Sequence, residues 1–393
     1  DPNRKGLLYC GTERGVHVSF DDGENWQSLQ LNLPVVPIHG LAVQARERDL
    51  VVGTHGRSFW ILDDLTPLHQ LNNAVARADL QLFKPRDSYR MRGGSFGRPG
   101  IPIGKNPPNG VLLYYYFRDK PKDEVKLEFL DANGKLVKSF SSKPEQQEEG
   151  SRDPDQEFPG AGGGTPRVQS DSGMNRFVWD MRYADASTVP GGLLWAGTTR
   201  GPLALPGTYQ VRIVSGTKTQ SQSFEIRKNP PLDVSPQDFQ DQFDLLIKIR
   251  DKVSAAHDAV NTIRDIKKQT DDLVKRMKDQ PKEKAIRDAV KSLNDKLSAV
   301  EDEIIQVKIK SSQDALNYPI KVNNKLAALT GVVASADGKP TKQSFDVFNE
   351  LAKELDAHLV KLSSILEKDL PEFNQRIKSE EIPAVILKPT KES

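Results

Sequence analysis

Nucleophilic or metal chemistry in this chain would have to be assembled from six histidines, His17, His39, His55, His69, His257 and His358, and one cysteine, Cys10. No two histidines have the spacing of a metalloprotease helix. A single cysteine excludes both an intrachain disulfide and a cysteine-based metal cluster. Ser19, Asp21, Gly23 and Trp26 follow the spacing Ser-x-Asp-x-Gly-x-x-Trp. An aspartate in that position could act as an acid, a base or a metal ligand. The same spacing also describes a tight turn, in which Asp21 accepts backbone amides, Gly23 supplies a positive φ and Trp26 folds back onto the strands. The turn consumes every element of the motif, so the structural reading is preferred. The run Glu145-Gln146-Gln147-Glu148-Glu149 lacks the spaced oxygen ligands of a calcium loop. The glycine-rich stretch Gly93–Gly97 is not followed by a strand-to-helix pattern, which argues against a nucleotide site. No catalytic residue, metal ligand or cofactor is assigned.

The elements that hold these residues show an internal repeat. Gly11-Thr12 through Asp21-Asp22 aligns with Gly53-Thr54 through Asp63-Asp64 at an offset of 42 residues, each copy following an apolar strand. Short strands recurring every 40–45 residues or so are the sequence sign of β-propeller blades, and propellers have about 4–8 of them. Two blades would leave open edges, so further blades are expected to precede Asp1. The turn containing Asp21 occupies one end of its blade, and the loops after Gly11-Thr12 and Gly53-Thr54 should emerge at the other. Glu13, Arg14, His55 and Arg57 are therefore the candidates for a binding face, with the alternative that His55 and Arg57 only bridge neighbouring blades.

On these residues the first 70 positions resemble the final blades of Asp-box (BNR) repeat propellers, the class of sortilin-type domains and xyloglucanase-like glycosyl hydrolases. Gly53–Asp64 is similar to the closing segment of large bacterial proteins usually labelled glycosyl hydrolase or sortilin-like. The resemblance implies a long N-terminal propeller, then a β-sandwich, then a helical tail, in an extracytoplasmic (periplasmic or secreted) protein. It makes this chain a C-terminal fragment whose first partners are the upstream blades.

The rest of the chain fits that order. Only Gly331 and Gly338 of 28 glycines lie beyond residue 234, while all four tryptophans and seven of eight tyrosines lie before it. Glycine and aromatic residues mark strands and turns, and their loss marks long helices, so the chain reads as multidomain, all-β and then all-α. Residues 1–75 are the propeller blades. Residues 80–230, with Val111–Phe117, the alternating Val125, Leu127 and Phe129, an Asn133-Gly134 turn, Phe177–Asp180 and Pro206–Tyr209, form an Ig- or FlgD-like β-sandwich. Trp179 and Tyr209 are expected in its core. The segment 143–173, nearly devoid of apolar residues, reads as a disordered insertion. Residues 235–380 form an antiparallel helical bundle or coiled coil. It starts at the Ser235-Pro236-Gln237-Asp238 capping box and breaks at Pro281, and Pro371 marks a kink or stop. Its heptad seam is internal, and His257 and His358 stand alone in it. Residues 381–393 are a tail.

Lysine and arginine exceed aspartate and glutamate by 56 − 54 = 2, giving a near-neutral chain of 393 residues. That balance argues against nucleic acid or an anionic lipid surface as partner. The longest apolar run, Val111–Phe117, is too short to span a bilayer. Two functions remain. The chain is either a non-catalytic terminal portion serving interdomain packing and protein or glycan binding, or part of a glycoside hydrolase acting on polysaccharide. In the second case the paired carboxylates that hydrolysis requires would lie in the blades upstream.

Overall fold

The computed structural model describes residues 1–91, 104, 106–144 and 166–380. Contacts divide these into two compact units. The first takes the described residues of Asp1–Pro144, Thr165–Arg182 and Ala204–Leu232; the second takes those of Tyr183–Leu203 and Asp233–Ser393.

The first unit opens with two three-stranded antiparallel sheets. One is β1 (Leu8–Thr12), β2 (Gly15–Ser19) and β3 (Gln27–Ser28); the other is β4 (Ile38–Gln44), β5 (Asp49–Thr54) and β6 (Phe59–Leu62). Val16, Val36, Ile38, Leu50, Val52 and Leu65 form their shared core. The 42-residue repeat is a repeat of conformation as well as of letters. Thr12 Oγ1 donates to Gly15 O at 3.0 Å and Thr54 Oγ1 to Ser58 O at 2.6 Å, so each Gly-Thr closes its own hairpin. Each Asp-Asp ends on a left-handed residue, Asp22 at φ 62° and Asp64 at φ 64°, a conformation aspartate tolerates better than most side chains. Among the described residues no sheet closes on itself into a barrel or ring.

Two short helices, α1 (Thr66–Gln70) and α2 (Asn73–Arg77), lead to eight more strands: β7 (Leu80–Leu82), β8 (Ser88–Arg90), β9 (Val111–Phe117), β10 (Val125–Leu130), β11 (Leu136–Ser141), β12 (Gly173–Trp179), β13 (Gly207–Ser215) and β14 (Lys218–Lys228). They form a five-stranded sheet ordered β11-β10-β13-β14-β8 and a three-stranded sheet ordered β12-β9-β7. Phe129 of the first stacks on Trp179 of the second at 4.3 Å, and Phe140 meets Phe177 at 4.8 Å, so one aromatic core joins both sheets. The polar ends of the buried rings are satisfied: Trp179 Nε1 donates to Arg182 O at 3.0 Å and the Tyr209 hydroxyl to Leu205 O at 3.1 Å. Gly134, at φ 77°, makes the expected turn between β10 and β11.

The insertion expected over 143–173 is fixed at its far edge. Val168 is buried with its amide on Ser141 O at 3.1 Å, and Arg167 donates to Ser142 O at 2.5 Å. Residues 145–165, with the acidic run, lie outside the described residues, as do Gly93–Gly97 and the tail 381–393.

The second unit is helical: α3 (Pro236–Arg276), α4 (Glu283–Ile304), a 3-10 turn (Ser312–Leu316), α5 (Val322–Val333), α6 (Lys342–Ser364), a π turn (Ile365–Asp369) and α7 (Leu370–Ser379). The capping box that starts α3 is reciprocal. Ser235 Oγ accepts from Asp238 N at 3.1 Å, and the Asp238 carboxylate accepts from Ser235 N at 3.3 Å. Arg264 pairs with Glu301, Lys267 with Ser298 and Thr270 with Asn294, so α3 and α4 run antiparallel. Pro371 neither stops nor breaks the helix. The π turn ahead of it lets the Leu370 amide bond Ile365 O, five residues back, which absorbs the proline's misfit with the preceding turn.

Composition alone puts residues 80–230 in one region, but the chain leaves the sheets at Arg182 and returns at Ala204. The intervening strap packs with the helices because Ala186 and Val189 are buried in their core. It closes on itself through Ala186 N to Thr199 O at 2.8 Å and Tyr183 N to Pro202 O at 3.0 Å.

Candidate functional site

The four binding-face candidates sit on two hairpin tips. Glu13 and Arg14 form the turn between β1 and β2, and His55 and Arg57 lie in the turn between β5 and β6; all four are exposed. Ile38 occupies the space a Cβ at Gly11 would need, and Ile38 is the cross-strand partner of Thr54. Both tips therefore leave the paired sheets at the same end. The second tip is rigidly made. Gly56 and Ser58 both have positive φ, at 77° and 64°. The Trp60 indole donates to Arg57 O at 3.0 Å, and the His55 amide donates to Pro37 O at 2.9 Å.

Next to these stands His39, which lies outside the repeat and carries no motif. Its ring lies 4.9 Å from that of His55, and it enters from β4, sixteen positions earlier in the chain. Among the described residues the side chains of Glu13, Arg14 and Arg57 make no hydrogen bond or ion pair. The surface thus offers a guanidinium pair, two imidazoles and one carboxylate to solvent. Such groups can hydrogen-bond hydroxyls and carboxylates of a ligand. Glu13 is the only carboxylate on the two tips, one short of the pair that glycoside hydrolysis needs.

The Asp21 turn lies at the other end of β2, and its hydrogen-bonding capacity is used internally. Asp21 accepts from Ser19 Oγ at 2.8 Å, from Asn25 N at 2.9 Å and from Asn25 Nδ2 at 2.7 Å. The Asn25 side chain, then its amide and Ser19, hold the Asp21 carboxyl below the usual carboxylate range. Ser19 Oγ accepts from Gly23 N at 2.9 Å, and Gly23 has φ 97°. Trp26 reaches back over Gly23, within 4 Å of where a Cβ there would stand, yet remains 43% exposed.

A second constellation escaped sequence reasoning. In the helical unit, side chains of α3 and α5 read the backbone of the strap. Asn324 is 3% exposed; its Oδ1 accepts from Trp195 N at 2.8 Å and its Nδ2 donates to Trp195 O at 2.7 Å. Ser254 Oγ accepts from Ser187 N at 3.1 Å, and Asn261 donates to Thr188 O at 2.9 Å. His257, also buried, donates from Nδ1 to Ser187 O at 2.5 Å and accepts at Nε2 from Asn323 at 3.2 Å. Contacts to a carbonyl oxygen at Nδ1 and an amide nitrogen at Nε2 suit a neutral ring protonated at Nδ1, and burial pushes the imidazole below the ordinary range, in the same direction. The available signal was Asn323-Asn324, two poor helix formers side by side in an apolar helix.

No protein-family model matches the chain, and no curated protein matches it. Among solved structures it is similar to pT26-6p at 14% identity and a TM-score of 0.14, over 65% of this chain. The match spans 46% of that protein, less than half its length, and at that TM-score it carries no argument about fold or function.

Proposed function

We propose that the chain is the C-terminal portion of an extracytoplasmic Asp-box propeller protein. On this reading the sheets of residues 1–75 are its last two blades, the paired sheets that follow are an Ig- or FlgD-like sandwich, and the helices are a coiled-coil bundle. The portion is non-catalytic. Its hairpin tips bind glycan or protein, and its helical unit serves interdomain packing.

The observation that carries the proposal is the shared conformation of the two repeats, with Gly-Thr closing each hairpin and a left-handed Asp ending each Asp-Asp. Edge strand β6 adds support. Phe59 and Ile61 are 78% and 58% exposed on it, apolar area that a neighbouring blade would cover. The strap supports the packing role, because it is continuous at both ends with the sheet unit while the helices hold it by its backbone.

The test uses affinity electrophoresis of the chain in xyloglucan and in β-glucan, beside Arg57→Ala and His55→Ala. Retardation that both variants lose, with unchanged melting, supports the tips as the binding surface. Release of reducing sugar by the chain would overturn the non-catalytic reading.

A further inference from the structure

At the end of the paired sheets opposite the hairpin tips, the turn between β4 and β5, helix α1 and the segment 84–87 enclose a cleft of about 280 Å³. Its walls are pinned. The Gln70 side chain accepts from Lys84 N at 2.8 Å and donates to Lys84 O at 3.0 Å, tying α1 to the following segment. Arg86 donates to Glu47 O at 2.7 Å and to the Asp49 carboxylate at 3.3 Å, tying that segment to the turn.

The charges around the cleft do not balance. Arg86 is compensated by Asp49, and the Asp87 carboxylate is taken by Arg227 and the Glu225 amide. Arg48 and Lys84 also line the cleft, and among the described residues their side chains make no hydrogen bond or ion pair. Arg48 is only half-exposed and is held at φ 60°, where glycine would be easier.

We propose that this cleft binds an oxyanion, a sulfate, phosphate or carboxylate group of a ligand, between the Arg48 guanidinium and the Lys84 ammonium. Two cations lining one cleft, neither paired with a carboxylate among the described residues, favour such a group, and a guanidinium fork matches its oxygens. The site is separate from the hairpin tips, so it stands or falls independently of them.

His69 reports on occupancy. Its Nε2 lies 3.0 Å from the Asp1 carboxylate, and its imidazole is held below the ordinary range by burial, then by Arg48 and Arg4, against Asp64. An anion beside Arg48 would cancel part of that field and raise the His69 pKa.

The experiment titrates the chain with sulfate, phosphate and glucuronate at ionic strength matched with chloride, following the His69 imidazole resonance and the heat of binding. The three anions separate inorganic from sugar-borne sources. The expected result is saturable binding of at least one, with an upward shift in the His69 pKa. Arg48→Gln and Lys84→Gln should each weaken binding about tenfold or more, the loss of one charge-assisted hydrogen bond. Arg48→Gly guards against misfolding, since glycine suits that φ and should leave melting unchanged or raised while binding is lost. Absence of saturation with all three anions, or equal binding by the variants, overturns the proposal.

Discussion

Asn324→Ala isolates the hold of the helical unit on the strap. The side chain is almost completely buried and makes two bonds to one peptide, at 2.8 Å and 2.7 Å. Alanine removes both and leaves the Trp195 amide and carbonyl without their partners. A net hydrogen bond contributes about 1 kcal/mol, and a buried group left unsatisfied costs roughly 1–3 kcal/mol. Trp195 is 49% exposed, so water can restore part of the loss. The expected cost is therefore about 2–4 kcal/mol, concentrated in the strap. In hydrogen exchange this should appear as opening faster by roughly 30- to 1,000-fold at the Trp195, Ala186, Thr198 and Gly201 amides, whose bonds define the strap. Amides of β9 and β12 should be unaffected. Asn324→Asp keeps an acceptor for Trp195 N but loses the donor to Trp195 O, and should fall between wild type and alanine. If strap amides in Asn324→Ala exchange at the wild-type rate, the clasp does not hold the strap and the packing role loses its support.

Four further outcomes follow from the same contacts. His257 is depressed by burial, with Asp258 the neighbouring charge acting the other way. The unfolded chain therefore binds the proton first. Its contribution is present above the ordinary value of 6.5 and lost as pH falls, by at most about 1.4 kcal/mol per pH unit. Urea denaturation of His257→Gln should show a flatter acid limb than wild type. Phe129→Ala, at a fully buried ring stacked on Trp179, should destabilise the sheet unit by about 3–5 kcal/mol, read by denaturant midpoint. In Gly201→Ala the new methyl lands inside contact distance of the Tyr183 and Ala184 carbonyl oxygens, so strap exchange should rise. Asp21→Ala should speed exchange of the Asn25 amide without changing retardation in glucan gels. In wild type the same amide should loosen in acid, as the carboxylate with its lowered pKa is protonated.

Local periodicity made most of the elements readable. The strands from Val111 to Val214 alternate or run apolar where β9, β10, β11, β12 and β13 lie, and the capping box at Ser235 starts α3 at the expected residue. Placement that depends on distant partners was not readable. Tyr183–Leu203 contains glycine, proline and tryptophan like the strands on either side, so its composition says sheet. Its partners are Ser254, His257, Asn261 and Asn324, 60 to 130 positions away. Pro371 marked a kink or stop only because a π turn cannot be anticipated from residue type. At the hairpin tips the four candidates share one end because the repeat fixes their position, whereas His39 joins them from the break in register between Ile38 and Gly40, which no residue type announces.

The repeat also explains why the cleft is not legible in the sequence. At the hairpin end both copies keep Gly-Thr and differ only in the tip residues, so the repeat itself marks the tips. At the Asp-Asp end the copies diverge. After Asp22 the chain makes Gly23 and the Asp21 turn, which closes that end with its own hydrogen bonds. After Asp64 it runs into Leu65 and α1, with Asp64 accepting from the Thr66 amide at 3.1 Å. That carboxylate is spent on the start of α1 rather than on a hairpin turn, and the space is walled by α1 and by the Arg48 and Lys84 side chains; at the 42-residue offset Arg48 stands where the first copy has Gly6, which shares its positive φ but carries no side chain. A repeated motif whose side chains are spent on its own turn has no groups left for a ligand. Recognition at this end therefore falls to residues outside the repeat, and the two uncompensated cations are such residues.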